Sequence, residues 1–149
     1  MTKNSKNYKP HIVIDFDNTI AGYEGGWQGI DIIPEPPIPG ALQFIIEAME
    51  FFTVNILSTR SSSPIGMKAM QEYITFHMEV LLGGGKQPLQ GEDRMACDDI
   101  LTQILWPTTK PPAFLSIDDR GLCFEGDWSK FVPAELIKFK PWNKRHDEN

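Results

Sequence analysis

Three short apolar runs in this 149-residue chain each end in polar groups suited to chemistry. "HIVI" leads into Asp15, Phe16, Asp17, Asn18 and Thr19; "TVNIL" leads into Ser58 and Arg60; "AFLSI" leads into Asp118 and Asp119. The first run reads as a buried β-strand, and the other two, also rich in apolar residues, read as β-strands. Between them the apolar spacing changes to that of helices. Leu42, Ile45, Ile46 and Met49 in "ALQFIIEAMEFF" share one helical face. Ser63 before Pro64 is an N-cap and first-turn pair for a long helix over "IGMKAMQEYITFHMEVLL". "RMACDDILTQIL" gives a third helix, with "LW" after it as a short strand. Strands alternating with helices predict an α/β fold: a three-layer, Rossmann-like parallel sheet with helices on both faces. Such sheets bind ligands at the carboxyl ends of their strands, so the three polar clusters are expected on one edge.

The length suits a single domain spanning residues 1–149, with 1–10 and 141–149 read as loose ends. Residues 20–39 are rich in Pro and Gly and form a long loop, a kind of segment that tends to be functional. "GGGKQPLQGED" is a second loop, and "AELIKF" reads as a last edge strand. A formal net charge of -6 argues against a non-specific grip on nucleic acid, which needs clustered Lys and Arg. No stretch approaches the roughly 20 apolar residues that span a bilayer. The opening "MTKNSKNYKP" lacks the apolar region of a signal peptide. The expectation is a cytoplasmic protein with Cys97 and Cys123 free and no zinc-type spacing. His11, His77 and His146 form no spaced cluster, and "GGGK" lacks the downstream order of a phosphate-binding P-loop.

Two residues apart on an extended chain, Asp15 and Asp17 point the same way, while Phe16 turns into the core. Crowded carboxylates repel unless a cation sits among them. With Asp118 and Asp119 at the same edge, a hard divalent ion resolves the conflict. Mg²⁺ suits such a site because it takes one or two carboxylates, keeps waters and binds a substrate phosphate.

At this point the residues carry a resemblance. "DFDNT" resembles the DxDxT motif of the haloacid dehalogenase-like phosphatases. "VNILS" resembles their second motif, and "KPPAFLSIDDR" their third and fourth, a lysine followed by a strand ending in two acids. "GGWQGIDIIPEPPIPGA" and "KPPAFLSIDDRGLCFEGDW" look like a small phosphatase-like family of phage and bacterial genomes. The resemblance implies a hydrolase that transfers the phosphoryl group of a monoester to Asp15 as nucleophile. It implies Asp17 as general acid and base, with its backbone carbonyl also on the metal. Ser58 and Lys110 would bind the phosphoryl group, and Asp15, Asp17, Asp118 and Asp119 would hold Mg²⁺. Asp118 is favoured over Asp119 as the direct ligand. Lys86 also lies between the second and fourth motifs, but the "KPPAFL" neighbourhood favours Lys110. Relatives often carry Gly after the second aspartate. Here it is Asn18, the non-glycine residue best suited to a positive φ. Neither gap between motifs holds a large cap domain, so an open site is expected.

Other roles compete for several of these residues. Paired acids after a strand can simply cap a turn, and Ser58 can be turn chemistry. Arg60 is either a substrate ligand or the partner of an acid. Tyr23 and Trp27 are either a platform for a substrate ring or packing anchors of the 20–39 loop. The substrate is a nucleotide, a polynucleotide end or a small phosphometabolite. The competing function is a phospho-acceptor or metal-binding interaction module without turnover, which need not have an acid/base at Asp17.

Overall fold

The computed structural model describes residues 8–86 and 88–147. The expectations for 1–7 and 148–149 lie outside the described residues. The chain is an α/β protein built on a three-stranded parallel sheet in the order β2-β1-β3. The strands are β1 (His11–Ile14), β2 (Thr53–Ile56) and β3 (Leu115–Ile117). Ile14 stands opposite Ile56 on one side and Ile117 on the other, so all three strands end at the same level.

The helices are α1 (Ala41–Ala48), α2 (Pro64–Gly83), α3 (Gly91–Gln103) and α4 (Pro133–Leu136). The Ser63 hydroxyl accepts from Gly66 N at 3.2 Å and Pro64 opens α2, as the sequence predicts. Gly84, at φ 60, ends α2 in the left-handed cap that glycine adopts without a Cβ penalty. Leu42, Ile45 and Ala48 of α1 meet Met70, Ile74 and Met78 of α2 in one core with Ile12, Ile14 and Ile56 of the sheet. Phe16 is wholly buried in that core and lies edge-on to Tyr73, with ring centroids 5.3 Å apart. Such aromatic pairs add about 0.5–1.5 kcal/mol beyond area burial. The core therefore anchors the chain between Asp15 and Asp17.

Two elements differ from the sequence reading. "AELIKF" is not an edge strand: Pro133 pre-sets the first helical φ, and Ala, Glu and Leu favour one helical turn, α4. Residues 141–145, expected loose, pack against the first strand's exit, with Pro141 and Asn143 buried. The "LW" expectation survives as a single parallel bridge between Leu105 and Asn55. No cap domain is present among the described residues. No described helix is long and apolar enough to cross a membrane.

Candidate functional site

The sheet register places the polar clusters together. Beyond Ile14 the ladder continues for one bond, Asp15 N to Ile117 O at 3.0 Å, and Leu57 N donates to Ile14 O at 3.1 Å. Asp15, Ser58 and Asp118 thus emerge at the same carboxyl edge. The chain then turns sharply: Phe16 O accepts from Thr19, Ile20 and Ala21, and Asn18 N donates to Ala21 O. Asn18 sits at φ 63, the left-handed conformation expected of it.

Because the extended path stops at Asp15, the two aspartates acquire different neighbours. Carboxylate oxygens of Asp15, Asp118 and Asp119 all lie within 4.8 Å of one another. Burial pushes the Asp15 carboxyl up to about 8, and the hydrogen bond and charge from Asp119 and the charge of Asp118 add to the rise. Three carboxyl groups facing one another, one of them pushed upward mainly by burial, offer oxygen ligands of the kind a hard divalent cation takes. The Asp17 side chain is not in this cluster. No backbone N–H bonds to the Asp17 carbonyl among the described residues, so that carbonyl retains its acceptor capacity.

Asp17 instead faces Arg60, which is 1% exposed. Arg60 Nε lies 3.0 Å from Asp17 Oδ2 and 3.3 Å from Oδ1, and Nη2 lies 3.1 Å from Oδ1. Nη1 donates to the carbonyls of Gly29 and Ile30, both at 2.7 Å, and Nη2 donates to that of Ile32 at 3.4 Å. Trp27 stacks under the guanidinium at 4.4 Å. Arg60 is therefore the partner of an acid and the pin of the long loop, and its donors are directed inward rather than toward a ligand. Trp27 is correspondingly a packing anchor with one exposed face. The loop is further held by Glu35, whose carboxylate accepts from Glu24 N at 2.9 Å and Gly25 N at 2.8 Å. Gly66 lets the first turn of α2 approach this assembly, since a Cβ there would meet Arg60 O at 2.5 Å.

Ser58 caps the 3₁₀ turn Thr59–Ser62: its Oγ accepts from Arg60 N at 3.2 Å, and its N–H donates to Ser61 Oγ at 2.9 Å. A hydroxyl also has one donor, so capping leaves the Ser58 O–H available at the site edge. Tyr23 is half-buried near Asp17, Arg60, Asp119 and Arg120; burial and the Asp17 charge push its phenol upward.

Lys110 is not brought to Asp15. It is exposed, and it precedes Phe114, whose N–H bonds His11 O at the opposite end of the sheet. No side-chain hydrogen bond or ion pair links Lys110 or Lys86 to the site among the described residues. The residues missed from the sequence are Trp142 and Asn143, which lie against Asn18 although 124 and 125 positions away. A cavity of about 370 Å³ lies between Trp142, Ile38 and Thr19 and opens beside Asp118 and Asp119. No family model, curated protein or solved structure matches the chain. The site's own geometry therefore carries the functional reading.

Proposed function

We propose that the protein is a Mg²⁺-dependent phosphomonoester hydrolase of the haloacid dehalogenase-like kind, working through an aspartyl-phosphate on Asp15. The described α/β unit would be the centre of a three-layer Rossmann-like fold. The observation that carries this reading is the Asp15–Asp118–Asp119 cluster at the carboxyl edge of the sheet, with Asp15 pushed up to about 8. A structural cluster of that kind is costly to a fold, and a bound cation offsets the cost.

Asp15, Asp118 and Asp119, with the Asp17 carbonyl, would hold Mg²⁺. Bound there, the ion would neutralise the carboxylates and polarise the phosphoryl group. Asp15 attacks phosphorus through one carboxylate oxygen, and the bond from phosphorus to the leaving oxygen breaks. Asp17 acts as the general acid and passes a proton to that oxygen. It then takes a proton from the water that attacks phosphorus, and the Asp15–phosphorus bond breaks to release phosphate. Arg60 fixes the Asp17 carboxylate without consuming it: Oδ2 accepts a single bond, so a lone pair remains for the proton. The Ser58 hydroxyl donates to a phosphoryl oxygen. Lys110 has no part in these steps as the chain is arranged. An uncapped edge suits a nucleotide, a polynucleotide end or a small phosphometabolite.

Steady-state hydrolysis of a generic aryl phosphate tests the reading. Turnover with Mg²⁺, lost on chelation and restored by re-addition, is the expected result. Full activity after exhaustive chelation would reject the metal. Inactivity across a panel of phosphate esters would favour a phospho-acceptor module instead.

A further inference from the structure

The C-terminal segment 141–145 reaches the candidate site through polar contacts that the proposed steps do not use. Trp142 Nε1 donates to Asn18 O at 2.9 Å. Asn18 Nδ2 donates to Asn143 Oδ1 at 2.8 Å and to Asp119 Oδ2 at 3.0 Å. Asn143 Nδ2 donates in turn to Glu24 Oε1 at 3.4 Å, and Lys144 Nζ lies 3.9 Å from Glu24 Oε2. Both amides are buried, Asn18 at 4% and Asn143 at 3% exposure.

The direction of this chain is fixed by its ends. A carboxylate only accepts, so Asp119 requires Asn18 to present its NH₂. The second hydrogen of that NH₂ then needs an acceptor, which is the Asn143 carbonyl oxygen. The Asn143 NH₂ is left facing Glu24, again an acceptor. Asn18 thus does more than supply a positive φ. Glycine would serve the turn equally well but would break the link to Asp119.

We infer that Asn143 is a positioning residue, which aims the Asp119 carboxylate into the Asp15–Asp118–Asp119 cluster through the Asn18 amide. The inference rests on the metal reading above. Groups that orient a ligand from behind typically change metal affinity by roughly 10- to 100-fold when removed. The loop residue Glu24 lies at the far end of the same chain, so the loop, the turn and the C-terminal segment set one carboxylate together.

The test titrates Mg²⁺ alone, by calorimetry, into the full chain and into Asn143→Ala, Asn18→Gly and the double variant. Asn18→Gly keeps the turn, so it guards against a folding defect in Asn143→Ala. Each single variant is expected to bind Mg²⁺ about 10-fold more weakly. The double variant is expected to be no weaker than the worse single one, since both cut one chain. Wild-type affinity in Asn143→Ala would overturn the inference, whatever the affinity of Asn18→Gly. Should the unaltered protein bind no Mg²⁺, the metal reading fails, and the metal-free protein decides the inference. There, the Asn18 side-chain NH₂ resonances are expected to move in both Asn143→Ala and Asp119→Ala. Resonances unmoved in Asn143→Ala would overturn it.

Discussion

Asp15 is crowded by Asp118 and Asp119, whereas Asp17, two residues further on, is gripped by a buried guanidinium. The same residue type thus occupies two opposite electrostatic settings within one turn of chain. Burial pushes Asp15 up to about 8, and among the described residues the charges that add to the shift are the carboxylates of Asp118 and Asp119. Asp17 shares three short contacts with a cation that the chain supplies. Pairs of carboxylates with different surroundings are how one site divides chemical roles. The setting of Asp15 is compatible with an outside cation. That of Asp17 is complete without one and ties the 29–32 stretch to the site.

The largest effect is expected where the comparison is broken at Asp15. Asp15→Asn would remove the proposed nucleophile and one proposed metal ligand, and phosphoryl transfer should be abolished. Asp17→Asn would leave the proposed nucleophile intact and remove the proposed proton donor and acceptor, an expected loss of roughly 10²–10⁴ in rate. That loss should be greater for an alkyl phosphate than for an acidic phenol, which leaves without a proton. A comparison of kcat for the two ester types checks it; equal losses would contradict the assigned role.

Breaking the other side of the comparison should act on stability. Arg60→Ala strands Asp17 and takes a donor from the carbonyls of Gly29, Ile30 and Ile32. Removing one member of a buried pair costs about 3–5 kcal/mol. Denaturant unfolding of the variant measures this, and a loss near zero would show that the grip is unimportant.

A further effect is expected from pH. Asp15 in the folded chain holds a proton up to about 8, against 3.8 for the free carboxyl. Between these values the folded state binds a proton that the unfolded state has released. The contribution of Asp15 to stability is therefore fully present below 3.8 and is lost as pH rises through about 8. In metal-free protein, the Tm difference between wild type and Asp15→Asn should shift against wild type across that window. On the metal proposal Mg²⁺ should oppose the shift, because it would bind the deprotonated carboxylate. A pH-independent difference would argue that Asp15 is not crowded as described.

The parts that local pattern governs were legible in the sequence. Each of the three strands is a short apolar run, and Ser63-Pro64 marks the start of α2 by its own chemistry. The positive φ at Asn18 follows from the turn that must close after Asp15. Long-range pairings were not legible. Arg60 meets Asp17 across 43 positions, and sequence reading left its role open between ligand and ion-pair partner. Asn143 meets Asn18 across 125 positions, with nothing in "KPWNKR" to announce it. Lys110 shows the opposite failure: the resemblance carried by "KPPAFLSIDDR" implies a place at the site for it, yet the chain enters β3 from the end away from Asp15. At α4, one proline outweighed the strand-like look of "AELIKF".

The claim that Asp15 is the nucleophile is tested most directly by trapping it. Enzyme is mixed with Mg²⁺ and a labelled aryl phosphate with a good leaving group, quenched in acid within the first turnover, and the labelled peptide is mapped. The label is expected on Asp15, absent in Asp15→Asn, and accumulating in Asp17→Asn, where hydrolysis of the intermediate is slowed. Label on another residue, or undiminished labelling of Asp15→Asn, would contradict the account.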